Sequence, residues 1–281
     1  MPLPDFIIGG APKAGTTALF RYLSQHPDVF TTQPKEPHYF ASSALGKPVQ
    51  FDYTREEYEA LFADRRPGQA AGEGSTEYLQ HAEAVAPALA MAVPNLRLIF
   101  SLRDPVERAY SYYWFRLHTG VIGAGTPFSD YRKGLRLLKA GDYFSTLTTY
   151  YEHFTPEQIL VILSEDLRHD TRATLARVCE HIGVDPSFEF EIAKFPNTTR
   201  YPRTPKLMAA AGRLAPGLSR WASRNRMLRP FRSRLFFSAH AQKPPMEAHD
   251  REALIEWYQP RIDALAELIG RDLSHWLRPP R

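Results

Sequence analysis

The sequence is poor in cysteine and in long apolar runs. A single cysteine, Cys179, stands among 281 residues, which excludes an internal disulfide and a zinc site built from cysteines alone. No apolar run is long enough to cross a bilayer, and no arginine-led apolar segment of the secretory kind opens the chain. We therefore expect a soluble protein of a reducing compartment, the cytoplasm.

Acidic residues are missing from one long stretch. Between Ile192 and Met246 there is no Asp or Glu, although the chain as a whole has a net charge of only +4. The cations of this basic segment, residues 192–246, are Lys194, Arg200, Arg203, Lys206, Arg213, Arg220, Arg224, Arg226, Arg229, Arg232, Arg234 and Lys243. Such patterning favours a surface facing a nucleotide, an acidic glycan, a nucleic acid or a membrane. A solvated basic helix without a specific partner explains any single arginine equally well.

What the sequence does contain is an alternation of apolar runs and helical patterns. Strands are predicted at Phe6–Gly10, Leu96–Leu102 and Gln158–Ser164. Helices are predicted at Thr16–Gln25, Arg55–Phe62, His81–Ala92, Ser145–Phe154, Asp166–Ile182, Arg251–Ile269 and, with interruptions, Lys206–Phe237. Continuously apolar strands separated by helices predict an α/β fold with a central parallel sheet and helices on both faces. The length suits one domain over residues 1–281, with two small domains as the alternative.

The stretch FIIGGAPKAGTTALFRYL near the N-terminus has the spacing of a phosphate-binding loop with a displaced lysine. Gly10, Gly15 and Thr17 fit the pattern G-x-x-x-x-G-K-[ST], but Thr16 occupies the lysine position and Lys13 lies inside the loop. A strand, a glycine turn and a helix start gather backbone N–H groups at the positive end of the helix dipole. The pattern predicts a bound phosphate or sulfate, and the alternative is a tight strand-to-helix turn without a ligand.

The strand that ends in LIFSL is followed by an arginine, which we interpret as a second anion-binding residue. Arg103 and Asp104 follow it directly, so a cation precedes the carboxylate that a nucleoside triphosphate enzyme would use for Mg²⁺. Pro105 suits the first turn of a helix, on which Ser111 would lie two turns further. This order favours a second phosphate bound by arginine without a metal. Alternatively, Asp104 caps the helix and Arg103 is merely exposed.

Six motifs, taken in order along the chain, resemble those of the sulfotransferases. They are IIGGAPKAGTTAL, HPDVF, KEPHYF, GEGSTEYL, LRLIFSLRDPVERAYSYY and LIEWYQPRIDALAELIGRDLSHW. The resemblance is closest to the heparan-sulfate type and its bacterial relatives, and it covers nearly the whole chain, weakly between Val121 and Gly141. It implies the P-loop-like fold of that family, 3′-phosphoadenosine 5′-phosphosulfate (PAPS) as sulfonate donor, 3′-phosphoadenosine 5′-phosphate (PAP) as product, and no metal.

The resemblance also implies a donor site. Lys13 would contact the oxygen that bridges phosphate and sulfate, Arg103 and Ser111 would bind the 3′-phosphate, and the loop Asn197–Lys206 would close over the donor. The implied donor-binding residues are Pro12, Lys13, Ala14, Gly15, Thr16, Thr17, Arg103, Ser111, Arg200 and Arg203.

The segment QPKEPHYF resembles the family motif that carries the catalytic base. The resemblance implies Glu36 as the base and His38 as its acid/base or hydrogen-bonding support. The alternatives are an exposed loop carboxylate beside Lys35 and a histidine that only packs. Gly74 departs from the family, which often has a second catalytic lysine there. Either another cation replaces that lysine, or Lys13 and backbone amides suffice.

Three functions follow as hypotheses. The first is sulfonate transfer from PAPS to a hydroxyl or amine of a glycan or small metabolite, without nucleic acid as partner. The second is a P-loop kinase using ATP and Mg²⁺, which Thr16 at the lysine position disfavours. The third is a non-enzymatic polyanion-binding protein that uses the basic segment. The arginines from Arg213 to Arg234 could also contact an anionic surface.

Overall fold

The structure is a computed structural model that describes residues 3–46, 49, 51–123, 125–192, 201–202, 237–238 and 243–278. The chain divides into two compact units. The first comprises Met1–Arg103, Asp142–Pro196 and Ala264–Asp272, and the second Asp104–Gly141, Asn197–Asp263 and Leu273–Arg281. The predicted helix over Lys206–Phe237, apart from Phe237, and most of the loop from Asn197 to Pro205 lie outside the described residues.

A five-stranded sheet forms the centre of the first unit. Its strands are β1 (Phe6–Gly10), β2 (Val29–Thr31), β3 (Ala70–Glu73), β4 (Arg97–Leu102) and β5 (Ile159–Leu163). They run in the order β2-β3-β1-β4-β5 and every pairing is parallel. The three predicted strands are β1, β4 and β5, which have the longest apolar runs in the sheet. The shorter β2 and β3 were not predicted, because Val29–Thr31 and AAGE carry too little apolar sequence to stand out.

Helices cover both faces of this sheet, as predicted. Those of the first unit are α1 (Thr16–Leu23), α2 (Tyr39–Leu45), α3 (Arg55–Ala60), α4 (Glu77–Gln80), α5 (Ala82–Ala92), α9 (Tyr143–Tyr151), α10 (Asp166–His169) and α11 (Thr171–Ile182). A short 3-10 helix, Pro156–Gln158, precedes β5. Buried side chains of α1 and α11 pack with Ile8, Ile99 and Ile162 in one apolar cluster. On the opposite face, the rings of Phe100 and Tyr150 lie 4.7 Å apart between centroids.

The predicted helix over Asp166–Ile182 was wrong in one respect, since the structure has two helices there. Asp170 adopts a non-helical conformation (φ −135°, ψ 71°), and its side chain accepts a hydrogen bond from Ala173 N at 3.1 Å. An aspartate favours such a cap over a position inside a helix, because its carboxylate satisfies an N–H group that the first turn leaves unpaired.

The second unit holds α6 (Pro105–His118), α7 (Phe128–Tyr131), α8 (Leu135–Lys139), a 3-10 helix (Ser274–Leu277) and most of α12 (Ala248–Ile269). Strands β6 (Tyr201–Pro202) and β7 (Phe237–Ser238) pair antiparallel. Inside this unit the aromatic rings of Tyr110, Tyr113 and Phe128 pack together. None of the helices that the structure describes has the length and hydropathy needed to cross a membrane.

Candidate active site

The loop between β1 and α1 is tied to the end of β4 by hydrogen bonds. Ser101 Oγ donates to Ala14 O at 2.6 Å, and Arg103 Nη1 donates to Lys13 O at 3.2 Å. Lys13 and Gly15 have left-handed backbone conformations, with φ of 71° and 90°. Gly15 is the N-cap of α1, and no side chain caps that helix. Ala18 N donates to Gly15 O at 3.0 Å, so the N–H groups of Thr16 and Thr17 are the ones that a ligand at the positive end of the helix dipole could use.

The Lys13 ammonium lies in an environment that needs an anion. Burial lowers its pKa, the nearby Arg103 guanidinium lowers it further, and the Glu36 carboxylate only partly reverses this, so that the pKa is about 8. Two cations held close together in a partly desolvated site repel each other, and a phosphate or sulfate would relieve that repulsion. The electrostatics of the loop therefore agree with its spacing.

Other members of the predicted donor set have mixed exposure. Thr16 is buried and Thr17 is exposed, while Pro12 and Ala14 are buried in the loop. The predicted Arg200 and Arg203 lie outside the described residues.

Glu36 is enclosed by three donors. Its carboxylate lies 2.5 Å from Lys35 Nζ, 3.3 Å from His38 Nε2 and 3.4 Å from Thr76 Oγ1. Burial alone would raise the pKa of Glu36, but the hydrogen bond from His38 and the charge and hydrogen bond of Lys35 outweigh it and lower the pKa to about 2. The structure thus brings Glu36 and His38 together, and it adds Lys35, for which the sequence assigned no role.

A second carboxylate, Glu73 at the end of β3, is completely buried. It accepts hydrogen bonds from the hydroxyls of Tyr58 (3.0 Å), Tyr78 (2.9 Å) and Ser75. Burial raises the pKa of Glu73, and the three hydroxyl donors act in the opposite direction. The motif GEGSTEYL contains Glu73 but carries no signal for its role, and no pattern around Tyr58 links that residue to one fifteen positions away.

Two of these hydroxyls also accept hydrogen bonds from the backbone of the segment that carries His38. Ser75 Oγ accepts from His38 N at 3.0 Å, and Tyr78 Oη accepts from Phe40 N at 3.1 Å. His38 has a left-handed backbone (φ 55°) and its side chain is only 3% exposed. Its Nδ1 atom is buried and has no hydrogen-bond partner in the part of the chain that the structure describes. The network therefore fixes the backbone turn that directs His38 toward Glu36.

The second unit contains the predicted Ser111 and the residue that follows Arg103. Asp104 caps α6, accepting from Val106 N at 2.8 Å and Glu107 N at 3.2 Å. Burial and the neighbouring Glu107 raise the pKa of Asp104 to about 6. Ser111 Oγ is buried and, among the described residues, has no hydrogen-bond partner. A buried hydroxyl of this kind can satisfy a ligand oxygen.

The alternative prediction for this segment was that Asp104 caps the helix and that Arg103 is merely exposed. Its first part is confirmed, because Asp104 accepts hydrogen bonds from the first turn of α6. Arg103 itself is partly buried and bonded to the loop. In the ranges that the structure describes, no three His, Cys, Asp or Glu side chains are grouped as a metal site would require.

Known proteins resemble this chain over most of its length. The family model described as the sulfotransferase domain matches residues 3–201. A human protein named bifunctional heparan sulfate N-deacetylase/N-sulfotransferase 3 is 27% identical over 303 aligned residues, which cover 98% of this chain and 31% of the relative. Human heparan sulfate glucosamine 3-O-sulfotransferase 3B1 is 32% identical over 190 residues, covering 65% of this chain and 46% of the relative. The chain thus spans less than half the length of these curated relatives.

Among solved structures, a sulfotransferase from Alicyclobacillus acidocaldarius is similar with a TM-score of 0.72 and 25% identity, covering 99% of this chain and 100% of the other. A mouse sulfotransferase, SULT7A1, solved in complex with PAP, has a TM-score of 0.54 and 17% identity, covering 92% of this chain and 85% of the other. The second similarity is one of fold only.

Proposed function

The chain belongs to the sulfotransferase family, and from this premise we propose that it transfers a sulfonate group from PAPS to a hydroxyl or amine, with Glu36 as base and Lys13 beside the leaving phosphate. The observation that carries the proposal is that the Glu36 carboxylate, held by Lys35, His38 and Thr76, is near enough to the half-buried Lys13 ammonium for its charge to raise the pKa of that lysine. Family membership supplies the reaction class, and this pairing supplies the two groups that the reaction needs.

The donor fits the residues present. The loop from Ala14 to Thr17 offers backbone N–H groups and threonine hydroxyls to a 5′-phosphate, and Arg103 with Ser111 is proposed for the 3′-phosphate. The buried hydroxyl of Ser111, which has no partner within the described ranges, supports that assignment. Arg200 and Arg203 remain proposed donor contacts on sequence grounds alone.

Each chemical change has a residue to support it. PAPS supplies the sulfonate, attached to its 5′-phosphate oxygen. The acceptor oxygen or nitrogen forms a bond to sulfur and gives its proton to the Glu36 carboxylate. The bond between sulfur and the phosphate oxygen breaks, its electron pair stays on that oxygen, and the Lys13 ammonium stabilises the added charge. His38, which contacts Glu36 Oε2, keeps the carboxylate oriented.

We propose a glycan as the acceptor class. The supporting observation is that two relatives are named for the sulfation of heparan sulfate, one at nitrogen and one at a 3-hydroxyl. Since the two names differ in the atom sulfated, the similarity does not choose between hydroxyl and amine. Both acceptors give up a proton, so the role of Glu36 is the same for either.

Replacement of Glu36 tests the proposal directly. Glu36→Gln should keep PAP affinity within about twofold and lower turnover of radiolabelled PAPS by about 10² to 10⁴, the usual contribution of a general base. N-desulfated heparin and a panel of simple sugars serve as acceptors. Glu56→Gln, an exposed glutamate on α3, is the matched control and should turn over as the wild type does. Full activity of Glu36→Gln would remove Glu36 as the base.

A further inference from the structure

The side chain of Lys35 lies across Gly74. A Cβ atom added at residue 74 would stand 3.3 Å from Lys35 Cε and 3.1 Å from Phe20 Cδ2. The two residues are also joined through their backbones, since Gly74 N donates to Lys35 O at 3.0 Å and Lys35 Nζ lies 3.4 Å from Gly74 O. A side chain at residue 74 would therefore press on the Lys35 stem and on Phe20, each of which would have to move by a few tenths of an ångström.

The Lys35 side chain, lying across Gly74, places its ammonium beside the Glu36 carboxylate. Nζ lies 2.5 Å from Oε1, and the lysine side chain is 17% exposed. The other groups that face the carboxylate are His38 Nε2 and Thr76 Oγ1, and Lys13 acts on it by its charge. His38 and Lys35 both stabilise the ionised carboxylate.

A carboxylate held in this way is a weak base. Proton transfer is most efficient when the pKa of the base lies near the working pH, whereas the partners of Glu36 lower its pKa to about 2. Both oxygens of the carboxylate are also engaged, Oε1 by Lys35 and Oε2 by His38 and Thr76, so the release of one partner frees an oxygen for the acceptor proton. His38 is fixed, because it is buried and Ser75 holds its backbone N–H. Lys35 is attached through a flexible four-carbon stem and can turn toward a new anion.

Building on the proposed sulfonate transfer, we propose that Lys35 is a second cation of the site that exchanges ion pairs. Its ammonium holds Glu36 in the resting protein and turns to the anionic sulfonate when the donor binds, so that Glu36 is released to take the acceptor proton. No bond or proton changes at Lys35 itself. The Lys35 side chain reaches Glu36 by lying against Gly74, the position at which the related family motif often carries a lysine.

Carbon NMR of labelled glutamate carboxyls tests the exchange without an acceptor. The Glu36 signal is assigned by its loss in Glu36→Gln, and its titration is followed with no ligand, with PAP and with PAPS. In the wild type, PAPS should raise the pKa of Glu36 by about 1 to 3, the usual effect of losing a close opposite charge, and PAP, which has no sulfonate, should raise it much less. In Lys35→Met the pKa should already be high, and PAPS should add less than in the wild type.

Three further variants separate charge from structure. Lys35→Arg keeps a cation and should titrate like the wild type. Gly74→Ala keeps the lysine but crowds its stem, so its ligand-free carboxylate should titrate between the wild type and Lys35→Met. Lys133→Met removes an exposed lysine that pairs with Asp130 and should change nothing.

The exchange is overturned if PAPS binds by calorimetry but raises the pKa of Glu36 no more than PAP does. It is equally overturned if Lys35→Met titrates like the wild type. Failure of either ligand to bind would instead remove the proposed function, and the exchange with it, so the two failures can be told apart.

Discussion

At the scale of single residues, Lys13 and Glu36 are charged groups in unusual environments. Burial and Arg103 lower the pKa of Lys13 to about 8, and His38 and Lys35 overcome burial to hold Glu36 ionised. The sequence predicted both residues, because their motifs are local. It could not predict the Lys35–Gly74 crossing, because that contact depends on where β3 lies, and β3 has no sequence signal of its own.

The affinity for PAP should fall as pH rises through about 8. Below that pH the Lys13 ammonium is charged and attracts the phosphate, and above it the free protein loses this charge. Bound phosphate raises the pKa of Lys13 again, so binding at pH 9 should take up a proton. Calorimetry in two buffers of different ionisation enthalpy measures the uptake.

Lys13→Met should bind PAP more weakly and without this proton uptake. A pH-independent affinity in the wild type between pH 7 and pH 9 would contradict the placement of Lys13 at the donor.

The same shift has a consequence for stability, with the opposite sign. An unfolded lysine keeps its proton up to its ordinary pKa of 10.5, whereas folded Lys13 releases it near 8. The unfolded chain therefore binds more protons between these values, and stability from this group rises with pH across that window. The cost of burying the charged form is fully present below pH 8, where the site is also ready to bind an anion.

At the scale of elements, the buried Glu73 links β3 to α3 and α4 and, through Ser75 and Tyr78, to the start of α2. The strands with long apolar runs and the helices with clear periodicity were predicted to within a few residues. Short elements such as β2, β3, α2 and α4 were not, because tertiary hydrogen bonds rather than propensity hold them. The Glu73 network is an example, since it joins residues that lie far apart in the sequence.

Removal of Glu73 should destabilise the protein strongly. Glu73→Ala leaves three buried hydroxyl groups without their acceptor, at about 1 to 3 kcal/mol each, so the free energy of unfolding should fall by about 3 kcal/mol or more. Tyr58→Phe keeps the ring that stacks on Tyr39 at 4.4 Å, removes one donor and should cost about 1 to 2 kcal/mol.

Urea unfolding measures both variants of this network. A smaller loss for Glu73→Ala than for Tyr58→Phe would show that Glu73 does not organise it.

At the scale of the whole molecule, the α/β class and the parallel sheet were predicted from the alternation of buried strands and helices. The division of the chain into two interleaved units could not be, because their segments alternate along the sequence without a linker between them. The roles proposed for the basic segment and for Arg200 and Arg203, like the cytoplasmic location, stay predictions. Family membership favours the sulfotransferase over the kinase and the polyanion binder, and this choice is checked by which anion the protein binds and whether a metal is required.

Calorimetric binding of PAP, compared with ATP plus Mg²⁺ and repeated on Arg103→Ala, measures that choice most directly. We expect the wild type to bind PAP without metal and in preference to ATP. Arg103→Ala, with its folding checked by circular dichroism, should bind PAP about a hundredfold more weakly, equivalent to about 2.8 kcal/mol. Preference for ATP with Mg²⁺, or PAP binding that survives the loss of Arg103, would contradict the donor site on which the proposed function depends.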